Sequence, residues 1–384
     1  MRILFSAGLS TPPQVPGSVL HRLHYLRGLR DLGHDVYFVE ETYRDGCVDD
    51  DGTACPFERS ANVRAFARTM EAIGFEERAS LVYEGGRETF GLSFDALTAV
   101  ARDADLLINM SGHLSDGPVF AGPRCRLYLD SDPVYTQIWH AAYGVDLGFG
   151  LHDAFATRGC NVGTPASPIP DCSVDWIHTL PPVVLPGEWT EPPAGGAYTT
   201  VASWDVFGDV ELDGEWYGSR RSELVRFATL PERAGVRFEM RVKAYEQQDD
   251  ATIELLRAGG WQLAPSSGVW DVAGYLAYVT ASRGEIGIAK NAYVKGRSGW
   301  FSERSAEYLA AGRPVIAQST GYESVLPTGV GLLSFATVEE AAAAVRAVEA
   351  DPVKHARRAR EIAESCLSHR VVLPALLDAA EARS

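Results

Sequence analysis

Residues 298–321 read SGWFSERSAEYLAAGRPVIAQSTG, and the fold turns on how that stretch divides. Ser302 suits a helix N-cap, because its hydroxyl can accept from an orphan N–H of the first turn, and Glu303 suits the positive end of the helix dipole. A helix is therefore predicted from there. At about 100° per residue, Ala306, Leu309 and Ala310 share one face, while Arg304, Glu307 and Ala311 share the other. Gly312 fits the left-handed position that ends a helix, and Pro314 prevents continuation. The following "PVIAQ" is apolar throughout, as a buried strand is. The unit is then loop, short helix, strand, loop. The free N–H groups and dipole at such a helix start favour an anion, phosphate being the usual one. Arg304 adds a charge-assisted donor, and Glu307 can accept from two neighbouring hydroxyls such as those of a ribose. The plainer alternative is that Arg304 and Glu307 pair with each other across one turn of a surface helix, worth about 0.2–0.5 kcal/mol.

Working outward, the same alternation fills the chain. "RILFS" is a strand, a Pro-broken loop follows at 7–17, a helix runs from Ser18 to about Asp31, and "DVYFVE" is the next strand. This βαβ start argues for a parallel sheet. Helices near 60–73 and 93–101 alternate with strands "SLVYEG", "ADLLINM" and "CRLYLD", and "VDLGFGL" is a further candidate strand. Pro and Gly dominate residues 181–197, which read as an interdomain linker. Beyond it come strand "YTTVASW", a loop with "GEWYGS", helix "RRSELVRFA", strand "RFEMRVKA", helix "DATIELLRA", strand "WQLAP", helix "DVAGYLAYVTAS" and strand "EIGIAK", which leads into the opening motif. Two last helices, 337–350 and 352–365, precede the tail. The expected architecture is α/β, with two Rossmann-like domains facing a cleft: residues 1–190, residues 191–365, and a tail, 366–384, packing back on the first. Ligands of such sheets sit at the carboxyl ends of the strands, here the loops 7–17, 111–117, 130–136 and 152–163.

Composition narrows the function. A net charge of −16 over 384 residues argues against nucleic acid or an anionic membrane as the main partner, since both demand basic stripes. Six cysteines include no C-x-x-C pair and no histidine at zinc-finger spacing, so reduced thiols, no metal site and a cytoplasmic setting are expected. No run of 18 apolar residues appears. A dinucleotide fingerprint is missing after the first strand, as are a G-x-x-x-x-G-K-[ST] phosphate loop and a G-x-S-x-G nucleophile elbow.

A double Rossmann-like chain whose second half carries a phosphate-and-ribose helix resembles the GT-B class of nucleotide-sugar glycosyltransferases. The resemblance is to the group-1 branch, where a loop leads into E-A-x-A-x-G-x-P-V-I; "AEYLAAGRPVIAQSTG" is the corresponding run. It implies that Glu307 holds the nucleotide ribose. The group-1 pattern has a second glutamate eight residues earlier, where this sequence has Gly299, so sugar and stereochemical course stay open. "SERSAEYLAAG" is closer to spore-maturation-type glycosyltransferases, which have an arginine three residues before the glutamate, as Arg304 is here. The implied donor is a nucleoside-diphosphate sugar, used without a metal or other cofactor.

Glycosyl transfer needs the departing diphosphate stabilised, and helix N-termini and basic side chains can do that. Arg304 with the backbone of Ser302 to Ser305 is the first candidate, followed by Arg283, Lys290 and Ser203; Lys290 reads equally as a solvated strand-end lysine. The acceptor must be oriented and, in an inverting enzyme, deprotonated. His113, Asp130, Asp132 and His152 stand on cleft-side loops and are the candidates. Asp132 before Pro133 also reads as a helix N-cap. Trp300 and Phe301 either stack on a base or sugar or close the core beneath a loop. Gly321 would let the backbone approach a ligand, and Gly17 joins the substrate-binding set. The acceptor is expected to be small and polar, held by the N-terminal half. Arg22, Arg27 and Arg30 keep membrane association as a lesser possibility, and oligomeric state is open. Other readings are an epimerase or phosphorylase on the same fold, or a nucleotide-sugar-binding partner subunit without catalysis.

Overall fold

Eight strands form the first sheet of the computed structural model: β1 (Arg2–Ser6), β2 (Asp35–Thr42), β3 (Ala79–Tyr83), β4 (Glu88–Gly91), β5 (Leu106–Met110), β6 (Cys125–Asp130), β7 (Ala154–Thr157) and β8 (Trp176–His178). Their spatial order is β4-β3-β2-β1-β5-β6-β7-β8, parallel except for the edge strand β4. The chain then forms β9 (Tyr198–Ala202), β10 (Val210–Leu212), β11 (Glu215–Tyr217), β12 (Phe238–Val242), β13 (Gln262–Pro265), β14 (Gly284–Gly287), β15 (Val315–Gln318) and β16 (Leu332–Phe335). Six of these make a second, all-parallel sheet in the order β13-β12-β9-β14-β15-β16, while β10 and β11 pair as a separate antiparallel ribbon. Strand order therefore reverses between β1 and β5 in one sheet and between β9 and β14 in the other, which opens a crevice at the carboxyl end of each. The structure describes residues 1–11, 16–187, 189–204, 206–242, 251–266 and 271–383.

Apolar runs put the central strands inside. Every residue of β3, β5, β14 and β15 is buried, as expected of parallel strands covered on both faces. Helices close the layers through ordinary end chemistry. In Ala61–Ile73, Ser60 Oγ accepts from the Val63 amide, and Gly74 takes the left-handed position, φ 66°, at the other end.

Two chain segments join the halves, and they run side by side. The Val183 amide donates to Leu367 O at 2.8 Å and the His369 amide to Val183 O at 2.9 Å, with Val183 and Ser368 forming a parallel bridge. After that crossing the helix His369–Glu381 lays Leu373, Leu376, Leu377 and Ala380 into the core beneath the first sheet, beside Leu23 and Leu26. Arg313 anchors the linker: fully buried, its guanidinium donates to Thr190 O, Thr190 Oγ1 and Thr280 O.

Several segments differ from the sequence expectation, among them the unexpected strands β4, β8 and β16. "VDLGFGL" is a turn ending in a short helical turn, Phe149–Leu151, and the next strand is β7, inside what reads as a loop. Tight glycines, Gly144 and Gly148 at φ 63° and 70°, break the apolar pattern there. The loop around "GEWYGS" carries the β10–β11 ribbon, and Asp213–Gly214 at its tip, both at positive φ, make the hairpin turn.

Candidate functional site

The helix Glu303–Ala310 starts at the carboxyl ends of β9 and β14, and its residues Ser305 to Ala310 are all buried. Its polar face, read from sequence as solvent-facing or ligand-facing, is turned into the molecule. Ser302 occupies the N-cap position, but its hydroxyl makes no capping bond. The first-turn amides are therefore left for another acceptor. They border a crevice lined by Ile288, Trp300, Ser302, Ser305, Thr320 and Tyr322.

Arg304 does not pair with Glu307. Its Nε donates to Glu285 Oε1 at 2.6 Å and its Nη1 to Val201 O at 2.8 Å, so it spans the switch point between the two strands. Burial alone would lower its pKa, but the Glu285 carboxylate outweighs this and holds the guanidinium charged. Arg220 lies close enough to be coupled to Arg304: it is buried, donates from Nη1 to Ser203 O at 2.7 Å, and is brought down to about 10 by burial and then by the Arg304 charge. Ser203 thus takes part through its carbonyl.

Glu307 is 4% exposed, and neither carboxylate oxygen has a hydrogen-bond partner. Burial raises its pKa well above the usual carboxylate range, and the Tyr275 hydroxyl, which interacts with it, opposes that shift. His24 faces it from the first helix, Nε2 to Oε1 at 3.8 Å. The His24 Nδ1 accepts from the Val184 amide at 3.1 Å, which puts the imidazole proton on Nε2, toward Glu307. An unmatched buried carboxyl with a hydroxyl and an imidazole beside it marks a place where hydrogen-bonding groups are missing.

Across the cleft, Lys290 and Asp132 meet. Lys290 Nζ donates to Asp132 Oδ1 at 3.1 Å and to the Tyr293 hydroxyl at 3.0 Å, while that hydroxyl donates to Asp132 Oδ1 at 2.7 Å. Phe207 faces the ammonium at 4.3 Å. Burial lowers the Lys290 pKa against the pull of Asp132. Burial would also raise Asp132, but Lys290 and then Tyr293 hold it well below the usual range. Asp132 is not the cap of the next helix, which is Tyr135–Ala141 with Val134 preceding it at φ 79°.

His113 is the N-terminal histidine turned to the cleft. Its ring lies against Gly8, where an added Cβ would come within 2.7 Å of His113 Cε1. It is exposed at the surface, while the protein atoms crowded around its ring, followed by the Arg22 charge, bring its pKa down to about 4. Asn109 holds its loop, bonding Leu114 O at 3.0 Å and accepting from the Leu114 amide at 2.9 Å.

The remaining candidates are corrected by their contacts. Asp130 accepts from Thr136 and Thr157 hydroxyls at 2.7 Å, Gln137 at 3.0 Å and the Asp132 amide at 3.0 Å, which leaves it a strut rather than a base. His152 bonds Gly148 O through Nδ1 at 2.8 Å and Asn109 through Nε2 at 3.2 Å, so it supports the His113 loop. Arg283 stands before β14, at the sheet's amino end, where it forms a bidentate pair with Glu349, each bond 2.9 Å. Phe301 is buried edge-on to Tyr322. Gly321, at φ 94°, is approached by Asn161 of the other half, whose Nδ2 donates to Gly321 O at 3.1 Å. Trp300 lines the crevice, stacks on Tyr293 and keeps an unpartnered Nε1. Gly17 opens the first helix, and its surroundings lie outside the described residues.

Sequence reasoning missed Arg220, Arg158 and the inward side of His24. Arg220 reads as one of two arginines opening a surface helix, and Arg158 follows a strand hidden by its glycine-rich neighbours. Arg22 likewise turns to the cleft, coupled to Glu303 and Asp132, while Arg30 bonds Ile73 O at 2.9 Å, so the basic residues of the first helix form no single stripe.

No family model matches the chain, and no curated protein sequence matches it. Its architecture nevertheless has close counterparts among solved structures. The chain has the two-domain fold of the GT-B glycosyltransferases. An alpha-glucosyltransferase in complex with UDP is 12% identical at a TM-score of 0.59, covering 99% of this chain and 100% of its own. AviGT4, a glycosyltransferase involved in avilamycin A biosynthesis, is 13% identical at 0.54, covering 99% and 97%. Anabaena HepE in complex with UDP and glucose is 11% identical at 0.57, with both chains fully covered at 100%.

Proposed function

We propose that this protein is a glycosyltransferase that moves a sugar from a UDP-sugar to a small polar acceptor, without a metal. The observation that carries the reading is Glu307, a buried carboxyl with both oxygens unpartnered, one turn from an uncapped helix start and within range of the Arg304 guanidinium. A ribose would supply the missing donors to Glu307. The first-turn amides and the Arg304 and Arg220 charges would face the diphosphate and stabilise it as it departs. The solved neighbours that hold UDP support the choice of nucleotide.

On the other side, His113 is neutral at pH 7 and accessible, as a group that takes the acceptor proton must be. Asp132 is the second candidate, ionised but engaged by Lys290. The acidic surface and the Gly- and Ser-rich loop at 111–117 favour a compact polar acceptor. The experiment is a screen of UDP-, GDP- and dTDP-sugars by thermal shift with EDTA present, followed by product analysis. A ligand at 100 times its Kd adds about 2.7 kcal/mol of stability. A transferase releases nucleoside diphosphate only when an acceptor is added; release or isomerisation without one, or binding without turnover, would replace this reading by an epimerase or a bare binder.

A further inference from the structure

At the seam between the halves, Arg158 is 3% exposed and only partly matched. Its Nη2 donates to Ser131 O at 2.7 Å, and its Nη1 reaches His21 Nε2 at 3.1 Å and Glu303 Oε2 at 3.3 Å. Because a guanidinium only donates, His21 accepts and is neutral. The Arg158 Nε–H has no partner, nor does the hydroxyl of Tyr25, which is 0% exposed and sits one helical turn from His21, its ring edge-on to the imidazole. Tyr25 is coupled to both Arg158 and Glu303, and Arg22 brings a second guanidinium into range of Arg158. Of the carboxylates around this point, Asp132 is bound by Lys290 and Tyr293. Glu40, also within range of Arg22, is taken up by the Ser10 amide and hydroxyl at 2.9 Å, which leaves Glu303, from the other half and held by one long bond.

We propose that Arg158, Tyr25 and Arg22 form the site for an anionic oxygen group of the acceptor, a carboxylate or a phosphate, and that the Glu303 carboxylate occupies it as an internal placeholder. The inference rests on the glycosyltransferase reading and narrows its acceptor. The Arg158 Nε–H and the Tyr25 hydroxyl are buried donors without acceptors, which are costly unless a ligand supplies the acceptor, and Arg22 adds its charge beside them. The donors belong to the N-terminal half and Glu303 to the C-terminal half, so separation of the halves withdraws the placeholder and bares the site.

The test uses the full chain saturated with UDP, titrated calorimetrically at constant ionic strength with inorganic phosphate and, separately, acetate. One phosphate or acetate should bind beside UDP. Arg158→Met should weaken it at least tenfold, and Tyr25→Phe severalfold with UDP affinity within twofold of the parent. Glu303→Gln should tighten it, since the competing charge is gone. Preference for acetate points to a carboxylate acceptor and preference for phosphate to a phosphorylated one. Competition with UDP, no binding in the parent, binding that survives Arg158→Met and Tyr25→Phe, or no gain in Glu303→Gln would overturn the proposal. If UDP itself fails to bind, the donor reading falls, and phosphate titrated alone against the same variants still decides this site.

Discussion

Glu307 is built for something other than stability. A buried carboxyl whose pKa is raised by burial weakens the fold at neutral pH, because the unfolded chain ionises it freely and the folded one does not. Its contribution is favourable only below the unfolded value, near 4.5, and is lost as pH rises toward the folded one. Glu307→Gln should therefore leave the empty protein at least as stable as the parent in thermal melts at pH 7.5, while weakening UDP by about 1–3 kcal/mol in calorimetry. Equal UDP affinity in the variant would remove Glu307 from the ribose. If ribose binds the ionised form, UDP binding should release a proton, and affinity should rise with pH; titrations in buffers of different ionisation heat count that proton. His24 has the opposite sign. Burial, then the charges of Arg27 and His369, bring it down to about 3, so its contribution is whole above pH 6.5 and fades as pH falls toward 3. Buried carboxyls such as Glu307 oppose this in the parent. The readable quantity is the difference: His24→Gln should flatten the fall of the urea midpoint between pH 6.5 and 5, and an unchanged slope would mean that His24 titrates freely.

At the scale of elements, the helix Glu303–Ala310 shows what the sequence could and could not say. Its start at Ser302, its stop at Gly312 and the buried strand after it follow from local chemistry, and all three stand where expected. So do most strands of both sheets, since parallel strands announce themselves as apolar runs. What was hidden is which partner each side chain meets. Arg304 lies one turn from Glu307 in sequence, yet Glu285, from a strand 19 positions back, claims it. Asp130 looks catalytic until three side-chain donors from 136, 137 and 157 converge on it. Charge pairing between remote segments leaves no periodic trace, whereas capping and burial do. The bare cap itself gives a prediction. Replacing an N-cap serine by alanine ordinarily costs about 0.5–2 kcal/mol. Here no capping bond is lost, so Ser302→Ala should change the urea-unfolding free energy by less than about 0.5 kcal/mol, the low end of that range. A full-sized loss would show that the hydroxyl caps the helix in solution.

For the whole molecule, the two crossings at Val183 and Ser368 lie in one bridge, so the halves can turn about a single line. Next to it, Ala363–Leu367 forms a π-helical turn, a local irregularity that absorbs backbone change more readily than a regular helix. Away from that line the halves share an apolar cluster, in which Val134, Tyr135 and Ile138 pack against Ala292, Tyr293 and Trp300, and polar contacts that include Lys290 to Asp132, Arg158 to Glu303, and Asn161 to the carbonyls of Arg297 and Gly321 at 3.0 and 3.1 Å. The polar contacts of such a seam are worth little individually, so the apolar cluster carries most of what holds the halves together. On the function proposed above, closure over bound substrates would exclude water and protect the donor from hydrolysis. Asn161 is the cleanest probe, since it fastens the seam without belonging to the proposed donor or acceptor groups. Asn161→Ala removes both carbonyl contacts and the bond from Ser324 to its Oδ1, so the ligand-free variant should have a larger radius of gyration in solution scattering than the ligand-free parent. Saturating UDP-sugar and acceptor should bring the two to the same compact value. Identical scattering from parent and variant, with and without ligands, would mean that the halves do not move about this line.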